Sequence, residues 1–219
     1  MRFYLSLVRW AFARFYREFA WTYDTVAWLV SRGLWRQWTL AALPYLRGRV
    51  LETGCGTGYV QQVLAAQWPD RVVGVDASPQ MLALTRRRLR GAPRQPILLR
   101  AVAQALPLGA ASFDTVLATF PTEYLVHPAT IREIRRVLAP GGRLVIVDAG
   151  RLAASGLYER ILDGAFWLTL HRSVRPEQET ALVAPVPYRR VFEPHGFQFD
   201  EHLEPVGSSS VMVLVGYAS

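Results

Sequence analysis

The stretch RVLETGCGTGYV, residues 49–60, places three glycines at alternate positions between two apolar runs: Gly54, Gly56 and Gly58. The preceding apolar run predicts a buried strand over 48–53, and the residues after Gly58 have the spacing of a helix. Glycines in such a turn can adopt positive φ angles and let a ligand lie against bare backbone. The helix that follows points its free N–H groups at the same place, so this turn predicts a ligand site.

Strand and helix patterns alternate after this turn. The predicted elements are a helix at 57–67, a strand at 71–76, a helix at 78–90, strands at 95–101 and 112–120, a helix at 127–138 and a strand at 143–148. This alternation predicts a parallel sheet with helices on both faces. Residues 151–187 leave the pattern and are irregularly helical, and the end of the chain predicts a short helix and two strands.

We therefore expect one domain made of four consecutive parts. These are a helical N-terminal cap at 1–44, a ligand-binding core at 45–150, a helical cover at 151–187, and a last helix with two strands at 188–219. A length of 219 residues and a hydrophobic content of 51% suit one domain with a sizeable core.

Composition predicts the cellular compartment, the metal content and the charge of the partners. No apolar run reaches the roughly 18 residues that cross a bilayer, and the first residues lack a signal-peptide pattern, so we expect a cytoplasmic protein. The single cysteine, Cys55, excludes an internal disulfide, and the four histidines lack ligand spacing, so no metal is expected. All basic residues are arginine and the net charge is +8, which favours anionic partners.

The glycine spacing separates two classes of cofactor. A dinucleotide fingerprint is G-x-G-x-x-G, whereas this loop is G-x-G-x-G. Asp76 ends the second predicted strand, where a carboxylate can accept hydrogen bonds from two ribose hydroxyls. This pattern resembles the cofactor loop of the class I S-adenosylmethionine-dependent methyltransferases. Three further stretches are similar to that family: VVGVDASPQML (72–82), AQALPLGAASFDTVLATF (103–120) and IREIRRVLAPGGRLVIVD (131–148).

The resemblance covers about half the chain and implies a fold and a cofactor. The subgroup resembled includes ubiquinone/menaquinone and phospholipid methyltransferases. Its α/β fold is Rossmann-like, with seven mostly parallel strands in the order 3-2-1-4-5-7-6 and an antiparallel last strand. The cofactor would be S-adenosylmethionine, whose methionine and ribose parts Gly54, Gly56 and Gly58 would line. Glu52 would hold the methionine end or order the loop, and Asp76 would bind the ribose.

The same resemblance assigns the remaining cofactor contacts. Ala77 and Met81 would pack on the adenine. Ala103 would offer its backbone amide to the ring, with Gln104 beside it, and Thr119 would meet the methionine end just past the fourth strand.

Two further positions, one before the glycine loop and one after it, bear on how the cofactor would be held. Tyr23 lies in WTYD, which resembles a Tyr-Asp pair that precedes the glycine loop in quinone methyltransferases, so it would close over the cofactor. Val102 stands where the family often has an acidic residue that binds the adenine amino group. Either Gln104 or a backbone carbonyl takes that contact, or the adenine is held less tightly.

Methyl transfer needs alignment of the acceptor and, for a hydroxyl or protonated amine, a base. The candidates near the strand ends are Glu123, Tyr124, His127 and Asp148, and the sequence does not separate them. We expect an apolar or lipid-like acceptor of the quinol, aminophospholipid or aromatic hydroxyl type, because the N-terminal segment and residues 157–170 are apolar.

Residues 1–20 allow two interpretations. Arg2, Arg9 and Arg17 form a basic stripe beside a wide aromatic face, which suits an anionic membrane surface. A helix packed over the sheet or against another subunit explains the same pattern. The acceptor atom and the oligomeric state are left open.

Two other classes of function agree less well with the sequence. The net charge suggests a nucleic-acid methyltransferase, but TFPTEY (119–124) does not match the motif of base-methylating enzymes. A non-catalytic protein that retains the fold is disfavoured by the intact glycine loop and Asp76.

Overall fold

The computed structural model describes residues 33–92, 94–152 and 188–218, together with Trp28 and Ser31. Most of the predicted N-terminal cap, including Tyr23 and the basic stripe, lies outside the described residues. So does the predicted cover from residue 153 onward.

Seven strands form a single sheet in the described part of the chain. They are β1 (Val50–Thr53), β2 (Val72–Asp76), β3 (Ile97–Arg100), β4 (Phe113–Thr119), β5 (Leu138–Leu152), β6 (Phe197–Val206) and β7 (Ser209–Ala218). Their order is β3-β2-β1-β4-β5-β7-β6. β1 to β5 run parallel, and β7 is antiparallel to both of its neighbours. The predicted order and the antiparallel last strand are confirmed.

Helices cover both faces of this sheet. The described α-helices of five or more residues are α1 (Trp35–Leu40), α2 (Tyr59–Gln67), α3 (Pro79–Arg88), α4 (Pro128–Val137) and α5 (Tyr188–Phe192). α4 and α5 pack with β4, β6 and one face of β5 in one buried cluster. α1 and α2 pack with β7 and the other face of β5 in a second cluster.

β5 differs from its prediction at both ends. It begins at Leu138 instead of Arg143, because Leu138 already pairs with Phe113 and the Pro-Gly-Gly turn then interrupts the register. It also continues past Asp148 through a second irregularity, since pairing with β7 extends to Leu152. The prediction that Asp148 ends the strand is therefore wrong, and Arg151 and Leu152 belong to β5 and not to the helical cover.

The topology fixes where a ligand can bind. β1 leads into α2 on one face of the sheet, whereas β4, its neighbour, leads towards α4 on the other face. The two connections diverge and leave a crevice at the carboxyl ends of β1 and β4. The glycine loop lies in this crevice.

Candidate active site

The glycine loop after β1 is tied to β2 by backbone hydrogen bonds. The N–H groups of Gly54 and Cys55 both donate to the carbonyl of Val75, at 2.7 and 3.0 Å. Gly54, Gly56 and Gly58 have φ angles of +70°, +54° and +82°, which residues with a side chain adopt only with strain. The loop conformation therefore favours glycine at all three positions.

The three glycines have different neighbours. A Cβ on Gly54 would lie 2.7 Å from the Tyr124 hydroxyl, and one on Gly58 would lie 2.6 Å from Cγ2 of Thr85. A Cβ on Gly56 would meet nothing nearer than a backbone oxygen at 3.9 Å. The protein's own side chains thus occupy the space beside Gly54 and Gly58, whereas Gly56 faces open space that a ligand could fill.

A cleft of about 330 Å³, partly open to solvent, lies over this loop. Its walls comprise the loop, the start of α2, two residues of α1 and the end of β4. The lining residues are Trp35, Thr39, Glu52, Gly54, Cys55, Gly56, Thr57, Gly58, Tyr59, Val60 and Thr119. Gly58 caps α2 without a side-chain hydrogen bond, so the N–H groups of the first turn are directed to this cleft. Thr119 is the last residue of β4, not the residue after it.

Asp76 connects the loop to α3. Its Oδ2 accepts from the Gly56 N–H at 2.9 Å, and its Oδ1 accepts from the Ser78 N–H at 2.8 Å. Burial raises the pKa of Asp76, and these two bonds oppose that shift. Each carboxylate oxygen has a second lone pair for a ligand hydroxyl. Ser78 is the N-cap of α3, and its hydroxyl accepts from the Met81 N–H.

Glu52 is a buried carboxyl group at the floor of the cleft. Its side chain is 1% exposed, and its Oε2 accepts from Nε2 of Gln61 in α2 at 2.7 Å. Burial raises the pKa of Glu52 to about 8, so the group holds a proton at neutral pH. Oε1 of Gln61 is buried without a hydrogen-bond partner among the described residues. Glu52 therefore joins the strand to the helix beneath the loop.

The structure separates the candidate bases. The Tyr124 hydroxyl donates to the Thr53 carbonyl at 2.9 Å, and burial raises the pKa of Tyr124. The exposed His127 is the N-cap of α4, where its Nδ1 accepts from a backbone N–H. Glu123 is exposed. Asp148 is half-buried and hydrogen-bonded to the hydroxyl of Tyr188, whose pKa burial raises.

The residues expected around the adenine do not line the cleft. Met81 and Ala103 are buried, Gln104 is half-buried, and Ala77 and Val102 are exposed. Their contact with adenine stays a prediction, as does the role of Tyr23.

Sequence reasoning missed two groups of residues at the site. Thr85 donates to the Gly56 carbonyl at 2.7 Å, and Arg88 donates to the Thr57 carbonyl at 2.7 Å while its guanidinium lies 3.6 Å from the Tyr59 ring centroid. Helical spacing was a usable signal, because Ser78, Met81, Thr85 and Arg88 fall on one face of α3. The second group is Trp35 with Phe120, which no local pattern joins.

The described residues have neither a metal-binding cluster nor a membrane-spanning helix. They contain no group of three His, Cys, Asp or Glu side chains that could hold a metal ion. They also contain no helix with the length and apolar character needed to cross a bilayer.

Comparison with known proteins gives relatives of one kind. The family model for a methyltransferase domain matches residues 51–146. The chain is 32% identical over 206 residues to a ubiquinone/menaquinone biosynthesis C-methyltransferase from Syntrophotalea carbinolica, covering 84% of this chain and 85% of that protein. It is 40% identical over 131 residues to a demethylmenaquinone methyltransferase from Clavibacter sepedonicus, covering 58% and 53%.

Solved structures share the fold at lower identity. A magnesium protoporphyrin IX methyltransferase from Synechocystis, with bound S-adenosylhomocysteine, has a TM-score of 0.61 at 17% identity, covering 94% of this chain and 97% of that one. A methyltransferase dependent on S-adenosylmethionine from Aquifex aeolicus has a TM-score of 0.59 at 17% identity, covering 83% and 89%. At these identities the likeness concerns the fold.

Proposed function

Because this chain belongs to the class I S-adenosylmethionine-dependent methyltransferases, we propose that it methylates a quinone-type acceptor, an aromatic ring that carries a hydroxyl group. The observation that carries the proposal is the 32% identity, along 84% of the chain, to a protein named as a ubiquinone/menaquinone biosynthesis C-methyltransferase. From the name of this relative we infer the class of methyl acceptor for this chain, and that class is what the experiments below test.

Two observations support the fit of the site to S-adenosylmethionine. The space beside Gly56 is open, so the cofactor can lie against that backbone without meeting a side chain. Asp76 retains a free lone pair on each oxygen, which suits the two ribose hydroxyls. In our proposal Gly54, Gly58 and the α2 N-terminus then face the methionine part.

The bound cofactor supplies a methyl group that is already activated. This chain must therefore hold the acceptor in line and take up a proton from its hydroxyl as the ring carbon forms its new bond. We assign that proton to Asp148, which lies on β5 one residue beyond the level of Thr119. Tyr188 orients the carboxylate through its hydroxyl. Tyr124 and His127 are less suited, because their hydrogen bonds hold backbone groups.

A screen of acceptors tests the substrate class. Hydroquinones, aminophospholipids and simple phenols would each be incubated with S-adenosylmethionine, and S-adenosylhomocysteine formation would be measured. We expect the hydroquinones to give the highest kcat/KM. A preference for the aminophospholipid would overturn the quinone assignment while leaving the methyltransferase assignment intact.

Substitution of the base gives a second test. Asp148→Asn should lower kcat by about 100-fold or more, the usual contribution of a positioned base. Glu123→Gln is the matched control and should leave kcat unchanged, because Glu123 is exposed on the neighbouring loop. An unaltered kcat in Asp148→Asn would remove Asp148 from the mechanism.

We further propose that residues 1–20 attach the protein to anionic membrane, where a lipid-borne quinone is found. The support is the sequence stripe of Arg2, Arg9 and Arg17 beside aromatic residues. Each arginine contributes about 1 kcal/mol near such a surface.

Sedimentation with liposomes tests the membrane attachment. The protein should sediment with anionic liposomes at low salt and less with neutral ones. Deletion of 1–20 should abolish sedimentation and spare S-adenosylhomocysteine binding; sedimentation that survives the deletion would contradict the proposal.

A further inference from the structure

Two stacked aromatic rings lie at the cleft, and one of them, Trp35, is among its lining residues. Trp35 of α1 lines the cleft, and its ring stacks on Phe120 with a centroid separation of 4.3 Å and an interplanar angle of 28°. Phe120 directly follows Thr119, which also lines the cleft. A flat apolar surface therefore adjoins the carboxyl end of β4.

The backbone of Phe120 is strained. Its φ angle is +44°, in the left-handed region that a bulky side chain rarely adopts. The Phe120 N–H donates to the Val147 carbonyl at 2.7 Å, which fixes this conformation against β5. Glycine or asparagine would adopt it with less strain. Strain of this kind concentrates at functional sites, so the aromatic side chain is the feature that needs explanation.

The aromatic pair is anchored from the protein side. Trp38 is buried 6.2 Å from the Phe120 ring, and its Nε1 donates to Oγ of Ser209 in β7 at 2.9 Å. The Trp35 N–H donates to the Ser31 hydroxyl at 2.9 Å at the start of α1. The two rings are thus held in place, and both are half-buried.

We propose that Trp35 and Phe120 form the wall on which the aromatic ring of the methyl acceptor stacks, an inference that rests on the proposed function. In-line transfer places the acceptor across the methyl group from the cofactor's sulfur. The polar loop side suits the cofactor, which leaves the aromatic side for the acceptor. Aromatic rings attract each other in offset or edge-to-face arrangements, so this wall suits the flat ring of a hydroquinone.

Replacing each ring with leucine tests the wall. In Phe120→Leu and Trp35→Leu the KM for a hydroquinone should rise about tenfold, as expected for the loss of an aromatic pair. The dissociation constant of S-adenosylhomocysteine should stay within about twofold, because the loop side is intact. Tyr217→Leu is the matched control: Tyr217 is an exposed aromatic residue that pairs with Arg143, at the end of the sheet away from the carboxyl end of β4, so its loss should change neither constant.

A third variant separates folding from recognition. Phe120→Asn relieves the backbone strain, so its melting temperature should equal or exceed that of a Phe120→Leu protein, while its KM should rise as much. If the KM is unchanged in both Phe120 variants, the wall does not bind the acceptor. If the S-adenosylhomocysteine dissociation constant rises as much as the KM, the wall belongs to the cofactor side and the proposal is overturned.

Direct binding distinguishes failure of the wall from failure of the proposed function. A naphthalenediol probe would be titrated calorimetrically into protein saturated with S-adenosylhomocysteine, which requires no turnover. Wall-dependent probe binding without methylation of any hydroquinone would support the wall and refute the proposed acceptor. Methylation with the same KM in every variant, with unchanged probe binding, would refute the wall alone.

Discussion

The two sides of the cleft are built from different chemistry and from different distances along the chain. The loop side is lined by the glycine loop, the start of α2 and the buried carboxyl group of Glu52, and Asp76 holds the loop through the Gly56 N–H; all of these lie within residues 52–76. The aromatic side has Trp35 of α1 in its lining, stacked on Phe120, which directly follows β4. The polar side is built within one strand–helix–strand unit, β1–α2–β2, whereas the aromatic pair forms only after distant segments have packed.

The loop side nevertheless depends on packing from outside the unit. Thr85 of α3 fills the space beside Gly58, and Tyr124 of the β4–α4 connection fills the space beside Gly54. The loop is therefore held between two elements. All three glycines line the cleft, but Gly56 alone of them has no side chain close beside it. Substitutions at these glycines should separate packing from ligand binding.

The largest expected effect is on stability, at Gly58. In Gly58→Ala the left-handed backbone costs about 1–2 kcal/mol and the contact with Thr85 adds about 1–3 kcal/mol. Gly56→Ala bears the backbone cost alone and should lose affinity for S-adenosylhomocysteine. Chemical denaturation would give the free energy of unfolding, and calorimetry the affinity.

A double variant checks the cause. Thr85→Ser removes Cγ2 and keeps the hydroxyl that bonds the Gly56 carbonyl, so it should restore part of the stability lost in Gly58→Ala. Equal stabilities for Gly56→Ala and Gly58→Ala would show that Thr85 yields without cost, and that the two glycines are equivalent.

The second effect is a pH dependence that originates on the loop side. The folded protein raises the pKa of Glu52 to about 8, mainly by burial, so it binds this proton more tightly than the unfolded chain does. The free energy of unfolding therefore falls as pH rises towards 8, by about 1.4 kcal/mol per pH unit from this group. Glu52→Gln removes that contribution.

Melting curves of the wild type and Glu52→Gln between pH 6 and pH 8 measure this contribution. The difference in stability should change by roughly 2–3 kcal/mol in favour of the glutamine variant as pH rises. Parallel curves over this interval would mean that Glu52 is already ionised in the folded protein.

The fold was predictable from sequence because each strand and helix has its own local pattern. Apolar runs gave the strands, and Ser78 before Pro79 gave the start of α3. β5 was mispredicted because its ends are set by pairing with Phe113 and with β7, which no local pattern reports.

The candidate site divides in the same way. The glycines and Asp76 were predicted from their spacing, since the consecutive elements β1, α2 and β2 bring them together. The stack of Trp35 on Phe120 was not predictable, because its two rings meet only through the packing of α1 on the sheet. The choice of Asp148 over Tyr124 as the proposed base also needed the structure, because it rests on their hydrogen-bond partners.

The third prediction is a loss of cofactor affinity of at least tenfold on substitution of Asp76. Asp76→Ala removes an acceptor that holds the loop and that we assign to the ribose, and a bond to a charged group is worth about 1.5–3 kcal/mol. The affinity for S-adenosylhomocysteine should fall at least tenfold. Ser78→Ala is the control, because it removes the cap of α3 at a cost of about 1 kcal/mol in stability and leaves the carboxylate in place. An equal loss of affinity in both variants would indicate that Asp76 acts through the helix start.

The smallest expected effect is at Val102. It tests whether a single side chain near the loop side can change the affinity for the cofactor. The Val102 side chain is 48% exposed, so an aspartate there keeps much of its hydration and adds little desolvation cost. Val102→Asp should leave the affinity for S-adenosylhomocysteine unchanged or improve it by up to about tenfold, the value of one charge-assisted hydrogen bond to the adenine amino group.

Ala105→Asp is the control for this prediction. It lies in the same turn, is also exposed and adds the same charge without reaching the adenine amino group, so it should have no effect. Calorimetric titration of the three proteins measures the difference. A sharp loss in Val102→Asp alone would place the adenine elsewhere, and the contacts assigned to Ala103 and Gln104 would fall with it. An improvement would show that one residue can strengthen the loop side, whereas the aromatic wall requires two distant segments to meet.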